Sequence, residues 1–383
     1  MTSVAGTFAP SALRVARGLA AVTQSDLARR LDIKPQYVQQ LESGARTPNV
    51  PTIQSLALAL GVEPAFLFCP VPRVASPATA FFRSLAGTPV RERERVEQRV
   101  DLLYVLVRRL CEEIVFPRLE LPRVTPDSVA AVESAAIVAR RALGILDGRP
   151  VPSVVRAVER AGLLVADIEA THRSIDAFSV RGDPTILVRC LGKGSTSRER
   201  FDLAHELGHQ VMHDAGGEFN QQREDEADQF ASAFLFPTEA FLREFPRGES
   251  GRWARLFALK LKWGMSVSAI VFRARQLGLI DDEEQRRLWI RISRAGWRRG
   301  AEPDEPPRER SELIPLAFRE IYRARGVTPA EIAAELGWSE VTLRRAVGPF
   351  VADDLQSIGG GVVLRQAPLQ TTWSKSRTGG GFA

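Results

Sequence analysis

A mainly α chain with a small antiparallel β-sheet, of the α+β class, is the fold this sequence predicts. Three observations carry that prediction. Apolar residues recur at helical spacing through most of the 383 residues. Only three short runs are β-rich: Gly162–Ile168, Ile175–Arg181 and Thr185–Cys190, the last two separated by the turn signal Gly182-Asp183-Pro184. Proline clusters at 70–90, 117–126 and 303–307 punctuate the chain and mark candidate boundaries. The length allows two or three domains, each with ample core. At 44% hydrophobic and 26% charged, the balance is that of a globular protein and excludes wholesale disorder. No apolar stretch approaches the roughly 18 residues of a membrane span, so no membrane partner is expected. The N-terminus has no basic segment leading into an apolar one, so no secretory signal is read and a cytoplasmic location is expected. Cys69, Cys111 and Cys190 lie far apart and form no CxxC pair, which argues against a disulfide scaffold or a cysteine-rich zinc site. The net charge of +6 permits a nucleic-acid partner. Of four histidines, three (His205, His209, His213) fall within nine residues.

Residues 1–70 read as short helices at Ser11–Leu19, Gln24–Leu31, Gln36–Glu42 and Thr52–Leu60. Thr23 is a natural N-cap. Leu27, Ala28 and Leu31 supply an inner face, and Asp32 sits at a tight turn where it tolerates positive φ. Pro35 suits the first turn of the next helix. Val38 and Leu41 bury that helix and leave Gln36, Gln39 and Gln40 projecting. Glutamine can bond adenine bidentately, so a short second helix bearing three of them suits a major-groove reader. Gln24, Arg14, Arg17 and Arg46 are candidate phosphate contacts. The string from about Leu13 to Phe68, with Thr23-Gln24 leading to Leu27-Ala28, Leu41-Glu42 before Gly44 and the closing Ala59-Leu60-Gly61-Val62, resembles the XRE (lambda-repressor-like) DNA-binding family. The resemblance implies double-stranded operator DNA as partner and puts Pro35, Gln36 and Gln40 at base-facing positions. Bulk charge contributes little: residues 1–70 hold six Lys/Arg against four Asp/Glu, a difference of +2.

Residues 71–126 read as a linker and a long charged helix, beginning RERERVEQRVDLLYVLVRRL near residue 90. Residues 127–250 hold the second motif, His205-Glu206-Leu207-Gly208-His209. Residues four apart lie on one face of a helix, so the two imidazoles can grip one metal ion, with Glu206 beside them to take a proton from water at the metal. Thr196 and Glu199 have capping-box spacing, and Gly216-Gly217 should stop the helix. His213 lies about 12 Å along the axis from His205, too far to share its ion on a rigid helix, and reads as a C-terminal residue favoured by the dipole. The third ligand comes from the following acidic cluster. At about 100° per residue, Glu224 borders the apolar stripe of Ala227, Phe230, Ala231, Phe234 and Leu235. Asp228, one turn on, suits a carboxylate that orients a ligand imidazole, whereas Glu226 lies on the opposite flank. Residues 130–240 resemble the ImmA/IrrE family of zinc metallopeptidases, through Arg200–Ala204 running into HELGH, through Glu224, Ala227, Asp228, Phe230 and Ala231, and through Phe234–Pro237. Ile175–Ser179 resembles the family's strand before the helix, and Phe236 stands where many members have Met. The resemblance implies a zincin-like fold, Zn2+ on His205, His209 and Glu224, and Glu206 as general base. His172 and Arg198 are candidates for a further oxyanion donor.

Residues 251–300 read as a helical extension rich in Trp and Arg, and 301–358 as a small helical C-terminal domain. Within it, 328–347 has a second helix-turn-helix rhythm, with Thr328 capping, Gly337 turning and Val341, Leu343 and Val347 packing. A structural or dimerising role is the expected one. The Gly/Ser/Thr-rich 359–383 reads as a mobile tail. Together these readings predict a homodimeric DNA-binding transcriptional regulator with a zinc-dependent peptidase domain that cleaves itself or a separate repressor. The alternative is a regulator whose peptidase fold senses a ligand without turnover.

Overall fold

The computed structural model describes residues 7–74, 90–169, 177–191, 194–213, 220–248, 250–298, 302–356 and 358. Ile175, His172, Gly216-Gly217 and the 359–383 tail therefore lie outside the described residues. Helices α1 (Pro10–Leu19), α2 (Gln24–Leu31), α3 (Pro35–Glu42) and α4 (Val50–Leu60), with a 3-10 turn at Pro64–Phe68, make the N-terminal unit. Their ends are set locally. Thr23 and Asp26 form a reciprocal capping box at α2, and Asp32 closes α2 in the left-handed region at φ 52°. Pro35 opens α3.

Helix α5 (Val90–Cys111) lies where a long charged helix is expected, and one side of it is packed. Val96, Val100, Leu103, Leu106, Val107 and Leu110 are buried in the same core as α1 to α4. It meets α1 so closely that a Cβ at Gly18 would overlap the Gln98 side chain. Helices α6 (Val129–Ala142) and α7 (Val154–Arg160) lead into strands β1 (Leu164–Glu169), β2 (Phe178–Val180) and β3 (Ile186–Leu191).

The sheet is mixed, which corrects the antiparallel expectation. β3 is central, antiparallel to β2 (Ser179 opposite Leu187) and parallel to β1 (Ala166 opposite Val188). The physical reason lies in β3, whose residues are all buried. A strand covered on both faces reads as an unbroken apolar run, the usual mark of parallel pairing. Ile186, Val188 and Cys190 belong to the core shared with α1 to α5, and Leu187 to a second core on the other face.

That second core holds α8 (Thr196–Met212), α9 (Gln221–Leu235), α10 (Thr238–Glu244), α11 (Arg252–Trp263), α12 (Val267–Gln276) and α13 (Asp282–Arg294). Helices α14 (Leu313–Arg325), α15 (Pro329–Glu335), α16 (Glu340–Val347) and α17 (Pro349–Gln356) return to the first core. Thr328 caps α15 with Glu331. Gly337, at φ +68°, brings the α15–α16 turn against Ala65, where a Cβ would sit 2.8 Å from backbone carbon. Val341 is a correction: it is 55% exposed rather than packed.

The proline-bearing segment 302–312 is a strap. Glu302 accepts from the backbone of Val267 at the start of α12 (2.8 Å), and Glu305 from that of Ser197 in α8 (2.9 Å). Glu309 accepts from that of Val155 in α7 (2.8 Å). These carboxylates satisfy amides that have no partner within their own helices. Glu305 thus replaces the expected Thr196–Glu199 box. Ser195 is the N-cap, but its hydroxyl donates to Glu305 (2.9 Å) instead of accepting from a helix amide, and Glu199 pairs with Arg308 at 2.7 Å.

Candidate metal centre and nucleic-acid face

Helix α8 carries His205 and His209 one turn apart, and α9 crosses it. The crossing is close because Gly208 has no side chain: a Cβ there would stand 2.9 Å from the Phe230 ring. That contact holds Glu224 over the two imidazoles. His205 Nε2 lies 3.1 Å from His209 Nε2 and 3.3 Å from Glu224 Oε2, and His209 Nε2 lies 3.6 Å from Glu224 Oε1. Among the described residues these three side chains form a cluster able to hold an ion. The donor set fits. A tetrahedral zinc ion with ligands at about 2.1 Å separates its donors by about 3.4 Å, and two His with one Glu is a catalytic zinc set.

The remaining ring nitrogens are held. Asp228 Oδ1 lies 2.7 Å from His205 Nδ1. His209 Nδ1 lies 2.8 Å from His213 Nδ1, and His213 Nε2 lies 2.9 Å from Glu226 Oε2. Sequence reasoning placed His213 and Glu226 apart. His213 is the C-cap residue of α8, already out of helical conformation at ψ 136°, and so turns toward α9.

Burial and neighbouring charges set the protonation of the cluster. Burial pulls the His205 imidazole down, but Asp228 and Glu224 outweigh it and hold its proton to about 10. Burial and the neighbouring His205 charge push His209 down to about 3. Burial pushes the Glu206 carboxyl up to about 8, against His205 and the Ser179 hydroxyl, which favour its charged form. Glu206 is 4% exposed, and its Oε2 makes no hydrogen bond among the described residues. Ser179, on edge strand β2, also accepts from Gln210 at 3.1 Å. Its single strand hydroxyl carried no signal in the sequence. Arg198 is engaged elsewhere, donating to the Trp297 carbonyl.

A model of the IrrE N-terminal-like domain, peptidase family M78, matches residues 158–275, and a helix-turn-helix model matches residues 13–67. The chain is an XRE-type helix-turn-helix domain fused to an IrrE-like domain. A search of curated proteins returns no match. The match to the M78 metallopeptidase model implies a metal cofactor for residues 158–275. No helix among the described residues is long and apolar enough to cross a membrane.

In the helix-turn-helix domain, Val38 and Leu41 are fully buried, so α3 turns Gln36 and Gln39 outward, with Gln40 half-buried. Arg46 is exposed, its guanidinium 5.8 Å above the Tyr37 ring of α3. Arg14 is half-buried on α1. The structure gives Arg17 and Gln24 an internal task. Both bond the Glu42 carboxylate, Arg17 Nε at 2.5 Å and Gln24 Nε2 at 2.7 Å, which ties α1 and α2 to the end of α3.

Proposed function

We propose that this DNA-binding regulator is also a zinc peptidase. His205, His209 and Glu224 hold Zn2+, Glu206 is the general base, and Asp228 orients His205. The convergence of those three donors beside the open Glu206 carboxylate carries the reading. When bound, zinc supplies Lewis acidity, which acidifies water and polarises a scissile carbonyl. The protein's own part follows from its contacts. The Asp228 carboxylate accepts from His205 Nδ1–H and so fixes the tautomer whose Nε2 lone pair faces Glu224. Glu206, one residue from a ligand and desolvated, takes a proton and later returns it to the leaving amine. The substrate is a protein, either a repressor or this chain itself, and the regulator works as a homodimer on a two-fold symmetric operator. Gln36, Gln39 and Gln40 read bases, with Arg14, Arg46 and, through their remaining polar capacity, Gln24 and Arg17 near the backbone.

The test compares wild type with Glu206→Gln. Both are incubated, with and without a chelator, with purified candidate repressors and alone, and products are identified by mass spectrometry. A chelator-sensitive cleavage product is expected from wild type, reduced about 10²–10⁴-fold in Glu206→Gln at equal zinc content. Equal cleavage by both proteins would remove Glu206 from the chemistry. Bound zinc without any product would favour a ligand-sensing domain.

A further inference from the structure

We infer that His213 and Glu226 form a relay that orients the metal ligand His209, a counterpart to the single carboxylate that serves His205. The inference rests on the metal reading above and deepens it.

With Glu226 ionised and His213 neutral, the chain of contacts leaves one proton arrangement. An ionised Glu226 can only accept, so His213 Nε2 donates to it across 2.9 Å. A neutral His213 then has a bare Nδ1, which faces His209 Nδ1 at 2.8 Å and can only accept. His209 must therefore carry its proton on Nδ1. That leaves the Nε2 lone pair pointing at His205 and Glu224, where a metal ligand needs it. Every atom of the relay is anchored. Gln222 Nε2 donates to the other Glu226 oxygen at 2.8 Å. The His213 backbone donates to the His209 carbonyl (3.1 Å), and its own carbonyl accepts from Arg123 (3.1 Å). Both rings are deeply buried, His209 at 1% and His213 at 4% exposure, so water does not compete for the bond between them. With its Nδ1 spent on His209 and its Nε2 on Glu226, His213 has no nitrogen left for the ion. It is a positioning residue, through which the Glu226 carboxylate on α9 acts on the Nδ1 side of His209.

Zinc affinity decides the matter, measured on the full chain by competition with a chromophoric chelator. His213→Phe keeps a ring and removes the acceptor; a loss of about 10–100-fold in affinity is expected. Glu226→Gln should weaken zinc by less, and by nothing further once His213 is already Phe. His213→Asn should recover part of the loss, because its amide oxygen can accept from His209 Nδ1–H. Thermal unfolding of the zinc-stripped variants separates this from packing, since a purely structural His213 would lower stability and leave the affinity of the folded protein unchanged. If His213→Phe does not fold, Glu226→Gln decides alone. Affinity unchanged to within about twofold in the folded variants overturns the relay while leaving the metal site intact. X-ray absorption is expected to count two imidazoles on zinc, and a third would overturn the relay by making His213 a ligand. A wild-type chain that takes up no zinc overturns relay and metal site together.

Discussion

Lys260→Met tests how the 302–312 strap is held. Lys260 on α11 is completely buried, with its ammonium 2.7 Å from Glu305 Oε1, 3.3 Å from Glu302 Oε2 and 2.8 Å from the Pro303 carbonyl. Both carboxylates also cap helices, Glu302 at α12 and Glu305 at α8. Methionine fills nearly the same volume, so packing changes little and the charge is the variable. Removing one partner from a buried ion pair costs about 3–5 kcal/mol, because the other is left uncompensated, and here two carboxylates are left. Lys262, two residues on, is the control. It pairs with Glu244 at 2.8 Å, but its side chain is 51% exposed, so Lys262→Met should cost about 0–1 kcal/mol. Urea unfolding followed by tryptophan fluorescence reads the difference, given equal slopes. Adding Glu302→Gln and Glu305→Gln to Lys260→Met should return part of the loss, since amides are cheaper to bury unpaired than charges. If the midpoint of Lys260→Met coincides with that of Lys262→Met, the strap is not held by this charge cluster.

Burial pushes the Glu159 carboxyl up to about 8, opposed by the Glu312 and Leu313 amides it accepts from at the start of α14. The unfolded chain releases that proton near pH 4.3, so between about 4.3 and 8 the native state binds more protons and stability falls as pH rises. Urea midpoints measured across that window should decline in wild type and decline less in Glu159→Gln; parallel curves would show that Glu159 does not contribute. On the DNA side, Gln36→Ala with Gln40→Ala should cost about 1–3 kcal/mol of discrimination for each bidentate Gln–adenine pair removed. The slope of affinity against salt should stay fixed, because glutamine neutralises no phosphate. Anisotropy with a selected operator and a scrambled one measures both, and sequence preference that survives the double substitution would move the readout off α3.

What the sequence discloses depends on whether the determining contact is local. Helix α2 is legible at both ends because Thr23, Asp26 and Asp32 act within a few residues of the backbone they cap. The facing of His205 and His209 is legible because it needs only one helical turn, and Glu224 because the apolar stripe of α9 fixes which edge meets α8. The His213–Glu226 contact is not, since it depends on where α8 ends and at what angle α9 crosses it. The helix-capping glutamates of the strap were hidden for another reason. They sit among Pro303, Pro306 and Pro307, which announce a boundary, and their targets lie more than thirty residues away. Strand direction was misread at β3 because Gly182-Asp183-Pro184 reports only the β2 side of that strand.

The two matched regions, residues 13–67 and 158–275, lie well apart in sequence but are not separable in packing. Alternation along a strand sends neighbouring residues to opposite faces, and on β2 that alternation divides the molecule. Phe178 and Val180 enter the core that contains α1 to α5 and α14 to α17. Ser179 between them faces Gln210 and Glu206 on the motif helix. On β3, Ile186 and Val188 face the first core and Leu187 the second. One three-stranded sheet is therefore the wall of both the DNA-binding core and the metal-site core. A cut between the matched regions would take α1 to α4, and α5 if made after it, off the core to which Leu164, Ala166, Ile168, Phe178, Val180 and Ile186 contribute an apolar face. That face is too continuous to leave in water without inviting association. The C-terminal helices cover it and, through Gly337 against Ala65, also buttress the helix-turn-helix unit. The second helix-turn-helix rhythm at 328–347 is thus explained by packing: its Ile332, Ala333, Leu343 and Val347 close the core that joins the two halves, and no DNA contact is needed to account for them.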